Sequence, residues 1–206
     1  MISRIAKKPS TKVGGALAAL TVAFAAGRYD PHPKAKINNH YSIGYANPGT
    51  APGSVKDSWT IEYDNIVPDV ALNKILDDTY KTKTPDANFY IGLITGPGAA
   101  GCAAGDTMAS HAGWVENVTY SDTTRPAWTP GSVSGKSVSN SASAAVFNVN
   151  GSATVGGAFL LSGVPGTANT KAGTGGTIRS CGPFSTGDKA VTNGGTLTVT
   201  ITATAS

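Results

Sequence analysis

The chain has 206 residues, of which 26 are glycine, 12 are proline and only 14% are charged, so its composition argues against a helical bundle and favours strands and turns. The net charge of +4 is uneven, because residues 1–40 carry +6 and the remainder carries −2. The folded part therefore gives no reason to expect a specific nucleic-acid partner.

The cysteines and histidines provide no framework for a metal or cofactor. Cys102 and Cys181 are 79 residues apart and belong to no repeated pattern, so we expect two free thiols, with a single disulfide as the alternative. The three histidines have no ligand-like spacing, and a CxxC motif is absent. We expect neither a metal nor a cofactor.

Residues 1–27 resemble a secretory leader, since four basic residues precede an apolar run at positions 13–26. As a helix, that run would cover about 21 Å, which is too short for a hydrocarbon core of about 30 Å, so we expect no membrane span. We interpret the segment as a retained arm that other subunits cover; an uncleaved leader or interfacial anchor is the alternative. The expected anchoring side chains are Ile5, Leu17, Leu20, Val22, Phe24 and Tyr29.

Residues 29–58 lack any sustained periodicity and contain several proline and glycine turns, so we interpret them as an irregular linker. Tyr29, Tyr41 and Tyr45 in this segment suit docking into pockets of a neighbouring surface. The predicted organisation is thus a basic, apolar-centred arm and linker over 1–58 and a β domain over 59–206.

One helix is predicted at about residues 66–80, with Asp64 or Asn65 as its cap and Pro68 in its first turn. Apolar residues recur at helical spacing on one face and charged residues on the other, so we expect the apolar stripe to pack against the domain. The stripe comprises Val67, Val70, Ala71, Leu72, Ile75, Leu76 and Tyr80.

Beyond the helix the pattern becomes that of strands. Alternating apolar residues predict strands at 88–95 and 196–204. A polar segment with a two-residue period predicts a strand at 132–139, and apolar residues with glycines between them predict strands at 145–150 and 154–162. In the last of these, threonines alternate with apolar residues, which is typical of a strand with one buried face. Short strands at this spacing predict an antiparallel β-sandwich or jelly-roll-like domain with one N-terminal helix and an extended N-terminal arm.

The segment 105–114 gathers Asp106, Ser110 and His111, but Ser110 and His111 are adjacent, and neighbours on an extended chain point apart. We therefore expect a structured loop in which His111 hydrogen-bonds locally and Trp114 is buried. Residues 131–137 (GSVSGKS) are one residue too short for a phosphate-binding loop. We predict that the protein is not an enzyme.

Residues 125–128 (RPAW) place Arg125 near Trp128, and we expect the guanidinium to stack on the indole and lock a loop or fill a subunit contact. The alternative is a sugar-binding platform formed by Trp114, Tyr120 and Trp128. These four residues are our candidates for recognition or subunit contact.

The order of motifs over residues 60–206 resembles that of a family of small structural proteins of tailed-bacteriophage virions. The resemblance rests on residues 89–94 (FYIGLI), 104–114 (AGDTMASHAGW), 124–128 (TRPAW), 137–147 (SVSNSASAAVF), 157–161 (GAFLL), 169–171 (NTK) and 187–191 (GDKAV). It implies an accessory component of head, neck or tail, without catalytic residues. Residues 1–58 share none of these motifs.

The resemblance and the arm together predict a virion protein, assembled in the host cytoplasm and attached by its N-terminal arm to capsid, portal or head–tail connector subunits. It would serve as a decoration or fibre-like component and form a homo-oligomer such as a trimer. The alternatives are a host-surface glycan recognition module of the virion and, in another class, a secreted hydrolase.

Overall fold

The computed structural model describes residues 36–49, 58–81, 84–96 and 101–206. Within them, the strands, the α-helix and one short 3-10 helix follow in this chain order: β1 (Ile37–Ala46), β2 (Trp59–Asn65), α1 (Asp69–Tyr80), β3 (Phe89–Thr95), β4 (Glu116–Asn117), β5 (Ser137–Ser139), the 3-10 helix (Ser141–Ser143), β6 (Ala145–Asn148), β7 (Ala153–Ser162), β8 (Thr177–Pro183), β9 (Lys189–Val191) and β10 (Thr196–Ala205).

The strands form two antiparallel sheets. The first has the order β2-β1-β10-β5, with β6 also paired to β10, and the second has the order β4-β3-β7-β8, with β9 also paired to β7. Apolar side chains of both sheets, such as Ile43 and Phe147 from the first and Leu93 and Leu160 from the second, meet in the main hydrophobic core. The prediction of a mainly β, antiparallel sandwich with one helix is confirmed.

The second sheet is buried on both faces. Residues of β3 and β7 that point away from the main core, including Ile94 and Phe159, form a second apolar cluster with Met108, Trp114 and Ala168 from the loops. These loops thus cover the outer face of the sheet, which explains why eight consecutive residues of β7 are buried. Gly92 lies directly beneath the Phe159 ring, where any Cβ would overlap the ring.

The interpretation of residues 29–58 as an irregular linker is wrong for β1. This ten-residue strand lies between β10 and β2 and pairs with both, so the β domain extends to at least residue 37. Tyr41 and Tyr45 point into the domain's own core rather than into a neighbouring surface. Residues 1–35 and 50–57 of the predicted arm and linker lie outside the described residues, and so do the expected anchoring side chains Ile5, Leu17, Leu20, Val22, Phe24 and Tyr29.

The helix begins later than predicted, and its apolar stripe is not packed as expected. Residues 59–65 form β2, Ile66 pairs with Cys181 of β8, and Pro68 is the N-cap. Of the apolar residues in α1 only Ala71 is fully buried, whereas Leu76 is 53% and Tyr80 80% exposed. The helix instead turns Lys74 and Asp78 toward the domain, because Asp86 and Arg179 provide charged partners there.

The predicted strands are confirmed with changed bounds. Four of them correspond to β3, β6, β7 and β10, and the segment 132–139 contributes only the three residues of β5. In β10, Leu197, Val199 and Ile201 are buried and alternate with threonines, as the sequence predicts.

The expectation of two free thiols is wrong. Cys102, in the loop after β3, forms a disulfide with Cys181 of β8, and their Cα atoms are 5.7 Å apart. This separation lies within the range that a disulfide requires. The bond therefore ties the loop that covers the second sheet to an edge strand of the same sheet.

Candidate functional site

The loop that contains Asp106 and His111 is held by its own side chains. The Trp114 indole N–H donates to Asp106 Oδ2 at 3.0 Å, and the same oxygen accepts the Ala103 amide at 3.0 Å. His111 stacks on Trp114 with 3.8 Å between ring centroids, and its Nδ1 lies 3.0 Å from the Trp114 carbonyl oxygen. The predicted structured loop, with a locally bonded His111 and a buried Trp114, is confirmed.

Arg125 is the most deeply buried charged residue of this region, with 1% of its surface exposed. Its Nε donates to Glu116 Oε1 at 2.8 Å and its Nη2 to Glu116 Oε2 at 2.7 Å. It also donates to the carbonyl oxygens of Ala168 at 2.7 Å and Gly173 at 2.9 Å. The guanidinium lies over the Phe159 ring, 5.5 Å from its centroid.

The contacts of Arg125 differ from the predicted stacking on Trp128 but agree with the predicted locking of a loop. Stacking of Arg125 on Trp128 is wrong, because the ring beneath the guanidinium is that of Phe159. Arg125 does lock a loop, as predicted. Its side chain donates hydrogen bonds both to Glu116 of β4 and to the carbonyl oxygens of Ala168 and Gly173, so it joins β4 to the loop between β7 and β8. Glu116 also accepts the Ala172 amide at 2.7 Å, and Ala172 has a φ of 54°, in the left-handed region that an alanine rarely adopts.

The three aromatic residues proposed as a sugar platform do not form an exposed surface. Trp114 belongs to the second apolar cluster, whereas Tyr120 and Trp128 belong to the main core, and each is at most 7% exposed. Burial raises the pKa of the Tyr120 hydroxyl, and the nearby Glu116 carboxylate raises it further. Lys171 covers this ring, with its ammonium 4.1 Å from the centroid. These rings therefore lack the open face that a sugar would need.

A second charged cluster joins α1 to β8. The Ser162 hydroxyl donates to Asp86 Oδ2 at 2.6 Å, and Arg179 Nη2 lies 3.0 Å from the same oxygen. Lys74 lies 3.6 Å from Asp86 and forms an ion pair with Asp78. Lys74, Asp78 and Asp86 lie close together in the sequence, but Ser162 and Arg179 are 76 and 93 residues from Asp86 and share no motif with it, so the sequence gives no sign that they meet.

The pKa of Asp86 gives this cluster a testable dependence on pH. Burial alone would raise that pKa, but the Ser162 hydroxyl and the Lys74 and Arg179 charges outweigh burial and lower it. A carboxyl whose pKa is lowered by folding stabilises the protein above its unfolded pKa of about 3.9, and this contribution disappears as the pH falls through the folded value.

We therefore expect wild type to be more stable than Asp86→Asn by a constant margin between about pH 5 and pH 7, and the margin to shrink below about pH 4. Urea unfolding measured at each pH checks this. Glu62→Gln, on the exposed side of β2, controls for the loss of one negative charge. A margin that stays constant down to pH 2.5 would contradict the assignment.

A groove between the two sheets is lined by residues of β1, β2 and β9. Tyr45 and Trp59 are cross-strand partners whose rings stack with 5.4 Å between centroids. Asp188, Lys189 and Thr192 line the opposite side, and the cavity has a volume of about 350 Å³. We call this feature the Tyr45–Trp59 groove. The sequence does not predict this groove, because residues 29–58 resemble a linker and β9 has only three residues.

Among residues 36–49, 58–81, 84–96 and 101–206, no cluster of three or more histidine, cysteine, aspartate or glutamate side chains is arranged to hold a metal ion. The same residues include no helix that is long and apolar enough to span a membrane. Comparisons of this chain with protein-family models, with curated proteins and with solved structures found no match.

Proposed function

We propose that this chain is a structural protein of a tailed-phage virion, attached by residues 1–35 to capsid, portal or connector subunits. The observation that carries the proposal is the position of β1, the strand that directly follows this segment. β1 lies inside its sheet, with β10 on one side and β2 on the other.

The hydrogen bonds at the start of β1 suit a point of attachment. The Lys36 amide donates to the Ser206 carbonyl oxygen at 2.8 Å, and the Ser206 amide donates to the Lys36 carbonyl oxygen at 3.0 Å. From there the pairing with β10 continues for ten residues, from Ile37 to Ala46. From Asn39 to Tyr45 the strand is also paired with β2. A pull that enters at residue 36 is therefore resisted first by the ladder to β10 and then by two ladders of hydrogen bonds, whereas an edge strand would have only one.

The composition of the N-terminal segment supports the same role. An apolar run preceded by basic residues is suited to burial against other subunits, and a few hundred Å² of buried apolar surface would contribute on the order of 10 kcal/mol before ordering costs. Repetition of the contact in a homo-oligomer such as a trimer would multiply the attachment. The motif order over residues 60–206 is the reason for choosing a phage particle as the partner.

The experiment compares the full chain with a chain shortened to residues 34–206, which retains β1. Particles of the phage that encodes the protein are assembled with either form and separated on a density gradient. We expect the full chain to migrate with the particles and the shortened chain to remain folded, by circular dichroism, but unattached. Absence of the full chain from purified particles, or equal attachment of the shortened chain, would contradict the proposal.

Substitutions within the segment provide a finer test. Leu20→Asp and Phe24→Asp place a charge in the apolar run, and both should reduce the amount of chain bound per particle. Thr11→Asp, which introduces the same charge outside the run, is the matched control and should bind like the unmodified chain.

A further inference from the structure

The sequence contains two Asn-Gly pairs, Asn150–Gly151 and Asn193–Gly194. The first lies in the connection from β6 to β7, and the second lies in the connection from β9 to β10. Both asparagines are exposed to solvent. Asn-Gly is a common turn sequence, but it is also a weak point for asparagine, a thermolabile residue, because glycine has no side chain to shield its amide nitrogen.

The reaction that threatens such a pair is loss of the asparagine side-chain amide. A base removes the proton of the glycine N–H, and the nitrogen attacks Cγ of the asparagine. The new C–N bond closes a five-membered succinimide ring, and the side-chain nitrogen leaves as ammonia. Water then opens the ring at one of its two carbonyls and gives aspartate or isoaspartate. The net change converts asparagine and water to a carboxyl group and ammonia, so the reaction needs only water, a base and an accessible glycine N–H.

The two pairs differ in the hydrogen bonding of their glycines. The Gly194 amide donates to the Val149 carbonyl oxygen at 2.8 Å, so its N–H is engaged in the native fold. The Gly151 amide, by contrast, has no acceptor among the residues that the structure describes. The Asn150 side chain likewise forms no hydrogen bond with the described part of the chain. Both groups of the Asn150–Gly151 pair that must react are therefore unengaged.

We infer that Asn150 is a site of spontaneous deamidation in the folded protein and that Asn193 is protected. Gly194 must break its bond to Val149 before its nitrogen can react, whereas Gly151 has no such bond to break. One hydrogen bond of ordinary strength corresponds to a factor of about five in the population of the open form. The sequence alone cannot make this distinction, because both pairs have the same two residues.

The modification would fall on the chain segment that joins the two sheets, since β6 belongs to the first sheet and β7 to the second. It introduces a negative charge next to Val149, whose side chain is buried in the main core. This inference goes beyond attachment to a particle, because it concerns the chemistry of the β domain itself. Its outcome does not depend on that of the gradient experiment.

Incubation of the full chain at mildly alkaline pH, followed by peptide mass spectrometry, tests the inference. We expect aspartate and isoaspartate to accumulate at position 150 about fivefold faster than at position 193, or by a larger factor. The rate at position 150 should rise with pH, because the attacking nitrogen must first lose its proton. In concentrated urea with a reductant the chain is unfolded and Gly194 loses its bond to Val149, so the two rates should converge.

Gly151→Ala is the matched variant, because it places a methyl group beside the reacting nitrogen and leaves Asn150 in place. The new Cβ would lie 3.0 Å from Cγ2 of Thr119, which requires a small shift of one methyl group, and circular dichroism shows whether the variant is folded. It should slow the reaction at position 150 several-fold and leave position 193 unchanged.

The inference is overturned if Asn150 stays unmodified in the folded protein, or if Asn193 is modified as fast as Asn150. An unchanged rate at position 150 in folded Gly151→Ala would also overturn it, because the Gly151 nitrogen would then not be the attacking group.

Discussion

Glu116→Gln and Arg125→Met should each lower the free energy of unfolding by about 3–5 kcal/mol, because each leaves one buried charge without its partner. The side chains of Arg125 and Glu116 are 0% and 5% exposed, so water cannot replace the lost ion pair. Arg125→Met also leaves the carbonyl oxygens of Ala168 and Gly173 without their donor. Urea unfolding at pH 7 measures the loss.

The double variant Glu116→Leu/Arg125→Met separates the ion pair from the rest of the cluster. This variant removes both charges together. Its decrease in the free energy of unfolding should therefore be smaller, by at least about 1 kcal/mol, than the sum of the decreases caused by the two single substitutions. It should still be less stable than wild type, because the Ala172 amide loses its acceptor as well.

The exposed pair His40–Asp64 provides the control. Its side chains are 45% and 62% exposed, although the Nδ1–Oδ1 distance of 2.9 Å is close to the 2.8 and 2.7 Å distances of the buried pair. Asp64→Asn should therefore change the stability by less than about 0.5 kcal/mol. If Glu116→Gln were as mild as Asp64→Asn, burial of the Arg125–Glu116 pair would be contradicted.

The sequence was sufficient to predict the class of fold because four strands carry a strong periodic pattern. In β10 every second residue is threonine, and in β3 and β7 apolar residues are so dense that a strand is the simplest interpretation. That density also indicates burial on both faces, since one exposed face would require alternating polar residues.

β1 was missed although its pattern is present. Asn39, Tyr41, Ile43 and Tyr45 occupy alternate positions and are all buried. Polar residues, glycine and the nearby prolines made the segment resemble a linker, and an asparagine gives no sign of burial. The partner strand is at the other end of the chain, so the pairing that stabilises β1 has no local signal.

The helix shows how tertiary charge pairing can override an amphipathic pattern. Its periodic apolar residues predict one buried face, but the side facing the domain carries Lys74 and Asp78, next to Arg179 of β8. Leu72 and Leu76 remain exposed as a result. Likewise, Arg125 and Glu116 are separated by irregular chain, and no periodicity indicates that they meet.

The variant Cys102→Ala/Cys181→Ala should lower the free energy of unfolding by about 4.5 kcal/mol, the value that loop-closure entropy predicts for a loop of roughly 80 residues. The two cysteines are separated by 79 residues, and both belong to the second apolar cluster. The disulfide closes a long loop and therefore restricts the unfolded chain more strongly than a disulfide across a short loop would. Alanine adds no polar group at either buried position, so the loss of stability measured by urea unfolding reports mainly the loss of the cross-link.

Reduction of wild type provides the matched control. Wild type in the presence of a phosphine reductant should unfold at nearly the same urea concentration as the double variant, and the double variant itself should not respond to the reductant. Native wild type without reductant should react with no iodoacetamide, because neither sulfur is a thiol. Labelling of two thiols in the native protein, or an unchanged midpoint on reduction, would contradict the disulfide.

The same bond gives an expectation about when the protein matures. Disulfides are rare in a reducing cytoplasm and persist outside it. If the chain is a virion component assembled in that compartment, Cys102 and Cys181 should be reduced in cells that are lysed into an alkylating agent and oxidised in released particles. Because Cys181 also pairs with Ile66 through both backbone groups, the amides of that bridge should exchange faster with deuterium in the reduced form. Equal exchange in both forms would show that the disulfide does not support this side of the sandwich.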